Sequence, residues 1–558
     1  MRIVLALSLF LLALPSLAAE RPPMVAAAHP LAAEAGMKVL RQGGSAVDAA
    51  IAVQAVLTLV EPQSSGIGGG AFMLHRRASD GAISAWDGRE TAPAAATPAL
   101  FLKPDGSRMP FFEAVVGGRA VGAPGVLAML ELAHGKHGRL AWRDLFADAI
   151  RLSRDGFAVT PRLNFLLHRD RYLKASPTAA PYFYDSDGTA WPVGHVLKNP
   201  ALAETLGMIA AEGATAMTEG PIAADIVKAV QTHPDNPGLL TMADLAAYRA
   251  KERTPVCTPY RNHTICGMPP PTSGGVTVAQ IMGQLYHFPM ATLAPSSRRA
   301  VHLISEAQKR AYADRGLYLA DGDFVDVPVK ALLEPAYLKA RAEGIDPARA
   351  SGTAEPGVVR KKAQFAPGAD LAQPATTHFA IADADGNVVS MTSSVENAFG
   401  SRIFVRGFML NNQLTDFSFA PADADGDAVA NRVAPGKRPR SSMSPTIVLN
   451  ADGSFRLAIG SPGGSRIIGY VAKTLVGVLD WNLPVQAAID LPHHVNRNGP
   501  IDLEQDTPLA GRQAALETMG HEVRVRVLNS GLHGIERVGG VWRGGADPRR
   551  EGVVLSEE

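Results

Sequence analysis

The chain is poor in cysteine, carries almost no net charge and has no long apolar run beyond its first residues. Each lack excludes something. A formal net charge of +1 leaves no surplus of Lys and Arg to neutralise phosphates, which argues against a nucleic-acid partner. A membrane span needs about 20 consecutive apolar residues, and the run over 3–14 stops short of that at Pro15. Internal repeats, a P-loop and a G-x-S-x-G elbow are all missing. Gly (54) and Pro (41) are plentiful but scattered, so they predict tight turns and no collagen-like or linker-like tract.

What is present describes a globular protein. Apolar residues make up 46% of 558 positions and charged residues 19%, enough for two or more packed layers. Arg2, the apolar run and the small-residue stretch Ser16-Leu17-Ala18-Ala19 have the order of a secretory signal peptide, 1–19. Removal after Ala18 or Ala19 and export are expected, to the periplasm in a Gram-negative cell, with a retained anchor as the alternative. The two cysteines, Cys257 and Cys266, flank a hairpin whose turn is Arg261-Asn262, and that register sets them opposite each other in a non-hydrogen-bonded pair. A structural disulfide fits an oxidising compartment; two free thiols are the other reading.

Along the chain, residues 29–59 read as two helices broken at Gly43-Gly44, with Ser45 and Asp48 capping the second. That second helix is apolar nearly all round, which places it between layers. Strands are expected in SSGIGGGAFML and ISAWDGRE, and mainly helices over 125–245 and from about 276 to 343. After Pro356 an irregular stretch ends abruptly at Ala375-Thr376. Alternating strands follow in TTHFAIADADGNVVSMTSS, GFMLNNQ and SPTIVLNADGSFRLAIG, with two DG turns. Helices, then strands, then helices predict stacked α/β layers.

Three motifs mislead. Gly66-Ile67-Gly68-Gly69-Gly70-Ala71 matches a dinucleotide fingerprint in letters, but a helix precedes it and a strand follows, the reverse of what that motif needs. Residues 423–427, DADGD, lack EF-hand spacing and a closing glutamate. His493 and His494 are adjacent and lack the i, i+4 spacing of a helical zinc motif.

Thr376-Thr377-His378 opens a strand directly after the irregular stretch. A threonine hydroxyl is a poor nucleophile unless a base lies close, and an N-terminal threonine carries its own base in its α-amine. A Thr-Thr pair by itself is ordinarily structural. Register adds weight: a three-residue loop Ala384-Asp385-Gly386, with Gly386 left-handed, sets Thr376 opposite Ser394, a second hydroxyl.

The stretches EPQSSGIGGGAFML, WDGRE, GMPPPTSGG, TTHFAIADADGNVVSMTSS, LNNQLTDFS, GKRPRSSMSPTI, GSPGGSRII and DPRREG occur in this order. Through them the chain resembles a γ-glutamyltranspeptidase from about Met24 to its C-terminus. The resemblance implies the N-terminal-nucleophile hydrolase fold, an αββα four-layer sandwich. It also implies a precursor that cleaves itself before Thr376, giving a heterodimer of a large subunit, 20–375, and a small subunit, 376–558. It assigns Thr376 as nucleophile, supported by Ser394, and Gly463 and Gly464 as oxyanion-hole amides. Arg89, with Ser441 and Ser442, would hold the substrate α-carboxylate, and Gln413 and Asp416 its α-ammonium. His378 is expected to be structural. The implied substrates are glutathione or other γ-glutamyl compounds, with water or an amino acid or peptide as acceptor, and no metal or organic cofactor.

Two departures from the family pattern stand out. Glu396 occupies a position that varies between asparagine and acid, and it would add negative charge near the substrate ammonium. The 417–440 segment is short and lacks a tyrosine, which predicts a more open pocket. The alternatives are a glutaryl-cephalosporin-type acylase on the same fold and an inactive secreted binding protein. An acyl group without an ammonium would leave Asp416 unpaired, which favours the glutamyl reading.

Overall fold

A computed structural model of the chain describes residues 22–359, 365 and 375–557, so the expected signal peptide and most of the stretch after Pro356 lie outside the described residues. Strands β1 (Met24–Ala27), β2 (Gly70–Arg76), β3 (Ile83–Gly88), β4 (Lys251–Arg253), β5 (Val256–Tyr260) and β6 (His263–Gly267) precede residue 376. Strands β7 (Thr377–Ala382), β8 (Val388–Ser394), β9 (Thr446–Asn450), β10 (Phe455–Gly460), β11 (His533–Val538), β12 (Val541–Ala546) and β13 (Val553–Ser556) follow it. They form a seven-stranded sheet in the order β13-β1-β7-β8-β2-β3-β4 and a six-stranded sheet in the order β12-β11-β10-β9-β6-β5. All pairings within these two sheets are antiparallel.

Alternation along the strands builds the layers, because successive side chains point to opposite faces. In the first sheet Val25, Met73, Phe379, Ile381 and Met391 face one core, shared with helices α1 (Pro30–Arg41), α2 (Ala46–Val60) and α3 (Val126–His137). Their neighbours Met24, Phe72, Leu74 and Ala380 face the other core, where Ile447, Ala458 and Ile535 of the second sheet meet them. Beyond the second sheet lie α4 (Gly274–Leu285), α5 (Arg298–Tyr318) and α6 (Ile467–Leu479), whose Ile281, Ile304 and Leu475 join the same core. The order is helices, sheet, sheet, helices, the αββα sandwich of N-terminal-nucleophile hydrolases.

Helix α2 is buried along its whole length, and its first turn carries the reciprocal Ser45/Asp48 capping box. Because it has no polar face, it packs as the centre of a layer. The β7–β8 hairpin turns through 384–386, closed by Asp383 N–H donating to Asn387 O (3.0 Å), with Gly386 at φ +84°. Thr377 therefore pairs with Ser393. The β5–β6 hairpin turns at Arg261-Asn262, so Cys257 faces Cys266, and the two form a disulfide with Cα atoms 4.0 Å apart.

One expected strand is shorter than its letters suggest. In GFMLNNQ only Phe408–Met409 is strand, because Asn411 and Asn412 then use their side chains against the backbone in place of a ladder. Asn411 Nδ2 donates to Gly68 O (2.8 Å) and Gly122 O (2.9 Å), and Asn412 Oδ1 accepts from Asn397 N (3.0 Å).

Candidate active site

Thr376 sits at the mouth of β7 and is 3% exposed. Its Oγ1 lies 2.9 Å from Ser394 Oγ, the contact that the hairpin register dictates. Ser394 Oγ also accepts from the Glu396 N–H (2.9 Å), which leaves the serine proton for Thr376. Two buried groups clamp the strand start. Arg550 Nη1 donates to Thr376 O (2.9 Å), and Thr377 Oγ1 donates to Glu61 Oε2 (2.9 Å). Burial, with Arg162 nearby, lowers the Arg550 guanidinium to about 9. Thr376 itself has φ +108°, a region that a β-branched residue occupies at a cost of about 1–3 kcal/mol. The strain falls on the residue that follows the expected scissile bond.

His378 is not placed as a base. Its Nδ1 pairs with Thr392 Oγ1 (2.8 Å), and full burial holds the ring well below its ordinary pKa, hence neutral. Gly463 and Gly464 follow β10 at φ +134° and +59° and lead through a 3₁₀ turn into α6. A Cβ on Gly463 would meet the Tyr470 ring at 2.7 Å, so glycine is required there on two counts.

Thr376, Ser394, Glu396, Gln413, Asp416, Ser441, Ser442 and Gly464 line one cavity, so the fold gathers residues spread over nearly 90 positions. Gly463 and Arg89 are not among its lining residues. Arg89 is fully buried behind it: Nη2 contacts Asp416 Oδ2 at 2.5 Å and Nε donates to Pro439 O (3.1 Å). Glu90 Oε2 lies 3.5 Å from Arg89 Nη1, and burial pushes the Glu90 carboxyl up to about 8. The two residues assigned to opposite ends of a zwitterion are thus each other's partners in this ligand-free chain. Gln413 Oε1 is buried without a hydrogen-bond partner among the described residues. Ser442 Oγ accepts from Arg315 Nη2 (2.7 Å), and Ser441 Oγ from Met443 N (3.1 Å).

The expected open pocket is not what the structure has. The cavity is about 20 Å³, room for roughly one water. The short 417–440 segment is pinned from within. Asn431 Nδ2 donates to Asp416 O (2.8 Å) and its Oδ1 accepts from Arg440 N (2.9 Å), while Lys437 Nζ donates to Ala430 O (2.6 Å) and Arg432 O (3.0 Å). Glu396 lines the cavity as expected, but its Oε2 also accepts from Asn412 Nδ2.

The false leads have ordinary explanations. Gly69 belongs to a close approach: a Cβ there would sit 2.2 Å from Ser394 O. Asp423 Oδ1 accepts from its own loop at Asp425 N (3.0 Å) and Asp427 N (2.9 Å). His493 Nε2 pairs with Ser530 Oγ (2.8 Å). Among the described residues His302, Glu306 and His521 bring three ligand atoms together, but Lys309 and Arg310 each hold Glu306 at 2.8 Å and would oppose a cation. Arg550, Glu61 and Arg315 were not singled out from sequence. Arg550 lies in the quoted DPRREG stretch, the one signal that pointed to it.

A strand-initial threonine between two antiparallel sheets, supported by a hydroxyl and faced by a glycine loop, defines the class as an N-terminal-nucleophile hydrolase. The family model described as Gamma-glutamyltranspeptidase matches residues 32–556. The chain is 37% identical over 543 residues to the glutathione hydrolase proenzyme of Escherichia coli strain K12, covering 94% of this chain and 90% of that one. To the glutathione hydrolase proenzyme of Bacillus subtilis strain 168 it is 36% identical over 545 residues, covering 95% and 91%. Among solved structures, a cephalosporin acylase from Bacillus halodurans matches with a TM-score of 0.83 at 28% identity, over 96% of each chain. The chain belongs to the γ-glutamyltranspeptidase family. Among the described residues no helix is long and apolar enough to cross a membrane.

Proposed function

We propose that the chain is an exported proenzyme that cleaves itself between Ala375 and Thr376 and then hydrolyses or transfers γ-glutamyl groups from compounds such as glutathione. The observation that carries this reading is the 2.9 Å contact of Thr376 with Ser394 in a cavity that also holds Gly464, Gln413 and Asp416. In the cleaved enzyme the α-amine of Thr376 takes the proton from its own Oγ1 as that oxygen attacks the γ-amide carbonyl. The amides of Gly463 and Gly464 receive the oxyanion. The Thr376 ester is then resolved by water or by an amine acceptor. Gln413 Oε1 and Asp416 recognise the α-ammonium.

Arg89 reaches the α-carboxylate only once its pairing with Asp416 is shared with substrate. A zwitterionic glutamyl group can do this, since it brings one charge for each partner. Opening the site is therefore part of binding.

A cephalosporin acylase activity is the second reading, and one observation favours it. Asp416 is already paired within the chain at 2.5 Å, so an acyl group lacking an ammonium would not leave it unpaired. A direct comparison of γ-glutamyl and glutaryl p-nitroanilides separates the two. The proposal expects kcat/KM higher by at least about tenfold for the γ-glutamyl compound, or about 1.4 kcal/mol. Equal rates, or a glutaryl preference, would overturn it.

A further inference from the structure

Arg549 and Arg550 are neighbours in the chain and opposites in their pairing. Arg549 Nη2 donates to Glu504 Oε2 (2.8 Å) and its Nη1 to Asp547 Oδ1 (3.1 Å), so two carboxylates share one guanidinium. Arg550 is buried and forms no ion pair with a carboxylate among the described residues. Glu61 and Asp547 favour its charge from farther off, and each is already in contact with another arginine, Arg162 (3.6 Å) and Arg549 (3.1 Å). Burial wins over them, which is why the Arg550 guanidinium falls to about 9. A buried charge without a counter-charge destabilises a fold, so stability does not account for this residue.

What Arg550 does reach is the threonine. Its Nη1 donates to Thr376 O (2.9 Å), while Nε donates to Asn529 Oδ1 (3.2 Å) and Nη2 has no partner among the described residues. The seat for its stem is built. Gly531 lies at φ +133°, and a Cβ there would meet Arg550 Cδ at 2.6 Å and Nε at 2.8 Å, so only glycine leaves the room.

Thr376 needs such a hold. The β7–β8 pairing begins at Thr377 and Ser393, one residue inside it. Two hydrogen bonds reach Thr376 from outside the strand: Ser394 Oγ at its hydroxyl and Arg550 at its carbonyl. The first selects the side-chain rotamer, and the second sets the plane of the Thr376–Thr377 peptide. A β-branched residue at φ +108° persists only where its surroundings over-determine it.

We propose that Arg550 is a positioning residue for Thr376: by fixing the threonine carbonyl it holds Oγ1 against Ser394 for both reactions of that oxygen. This rests on the self-cleavage reading above. In the first reaction Oγ1 attacks the Ala375 carbonyl carbon. A C–O bond forms, the Ala375–Thr376 C–N bond breaks, and the hydroxyl proton goes to the Thr376 nitrogen. Water then splits the ester, leaving a carboxylate on Ala375 and the hydroxyl on Thr376, with the remaining proton on the α-amine. In the second reaction the same oxygen attacks the γ-amide of the donor. The bond from Arg550 is to the C-terminal side of Thr376, so it survives the cut and serves both. Arg550 is not among the residues lining the Thr376 cavity, so it acts through the threonine and not on the donor.

The test follows the full chain by intact mass during cell-free synthesis, then the cleaved enzyme on γ-glutamyl p-nitroanilide. Native protein is compared with Arg550→Met, Arg550→Lys and Arg162→Met. The last removes a neighbouring charge that contacts Glu61. Loss of one charge-assisted hydrogen bond is expected to slow cleavage and lower kcat by about ten- to a hundredfold in Arg550→Met, with KM unchanged. Arg550→Lys keeps an N–H donor and should recover most of both rates, and Arg162→Met should keep both. A merely structural role would shift thermal unfolding without the kcat-against-KM split or the lysine rescue. Native rates in Arg550→Met, equal losses in the Lys and Met variants, or the same loss in Arg162→Met overturn the assignment. If Arg550→Met does not accumulate as folded protein, Arg550→Gln is read in its place by the same criteria. A native chain that never cleaves sinks the self-cleavage reading and the role of Arg550 with it. A native chain that cleaves but leaves the anilide intact sinks the γ-glutamyl reading alone, and the cleavage rates still decide Arg550.

Discussion

The two sides of the Thr376 cavity are made differently. The nucleophile side is made by strand register: Ser393 pairs with Thr377, and the next positions outward, Ser394 and Thr376, touch through their hydroxyls. The recognition side is made by side chains more than 300 residues apart, Arg89 and Asp416, joined as a buried ion pair. One side follows from counting along two adjacent strands. The other depends on how loops from both halves of the chain meet, and there the two charges are buried against each other. The Thr376–Ser394 contact is thus preset, whereas Arg89 and Asp416 are each other's partners in the ligand-free chain.

If the oxyanion loop belongs to the preset side, its backbone cannot be altered cheaply. Gly464→Ala, at φ +59° and in the cavity wall, is expected to lower kcat by about 10²–10³, measured in steady state on a γ-glutamyl anilide. An unchanged kcat would remove that loop from the chemistry.

The recognition side should show its pairing in stability. Asp416→Asn leaves Arg89 buried with a weakened partner and is expected to cost about 3 kcal/mol in urea unfolding. Arg89→Met with Asp416→Leu should cost clearly less than the sum of the single changes, and strict additivity would mean that the two do not interact.

Both sides rest on a core that excludes protons. Burial lowers His29 and His533 from the ordinary 6.5 to about 4, and the nearby carboxylates Glu551 and Asp547 oppose it only in part. For a base with a depressed folded pKa, stability is fully present above 6.5 and is lost as pH falls towards 4. Each contributes on the order of 2–3 kcal/mol. Unfolding followed from pH 7 to pH 4 should show this loss, and a flat profile would contradict it.

The smallest effect is expected at the supporting hydroxyl. Ser394→Ala removes one hydrogen bond to Thr376 and one acceptor for Glu396 N. About 1–2 kcal/mol, or a five- to thirtyfold fall in kcat, should follow.

Sequence made the fold and the Thr376–Ser394 contact legible because both follow from short-range rules. The capping box of α2, the DG turns, the Cys257/Cys266 register and the hydroxyl pair need only period-two counting and turn chemistry. The tightness of the cavity was not legible. The length of 417–440 suggested an open site, but the cavity of about 20 Å³ is walled by residues outside that segment, whose Asn431 and Lys437 bond nearby carbonyls. The Arg550 clamp on Thr376 O escaped for a related reason. It joins residues 174 positions apart through a backbone atom, and no residue pattern announces a carbonyl acceptor.

The central claim is that Thr376 becomes an N-terminal nucleophile by self-cleavage. Intact-mass measurement of the purified native protein beside Thr376→Ala tests it most directly. The account predicts two native fragments, the smaller beginning at Thr376, and an uncleaved variant. A native chain that stays whole through prolonged incubation, or a variant that is cleaved at the same bond, would contradict it.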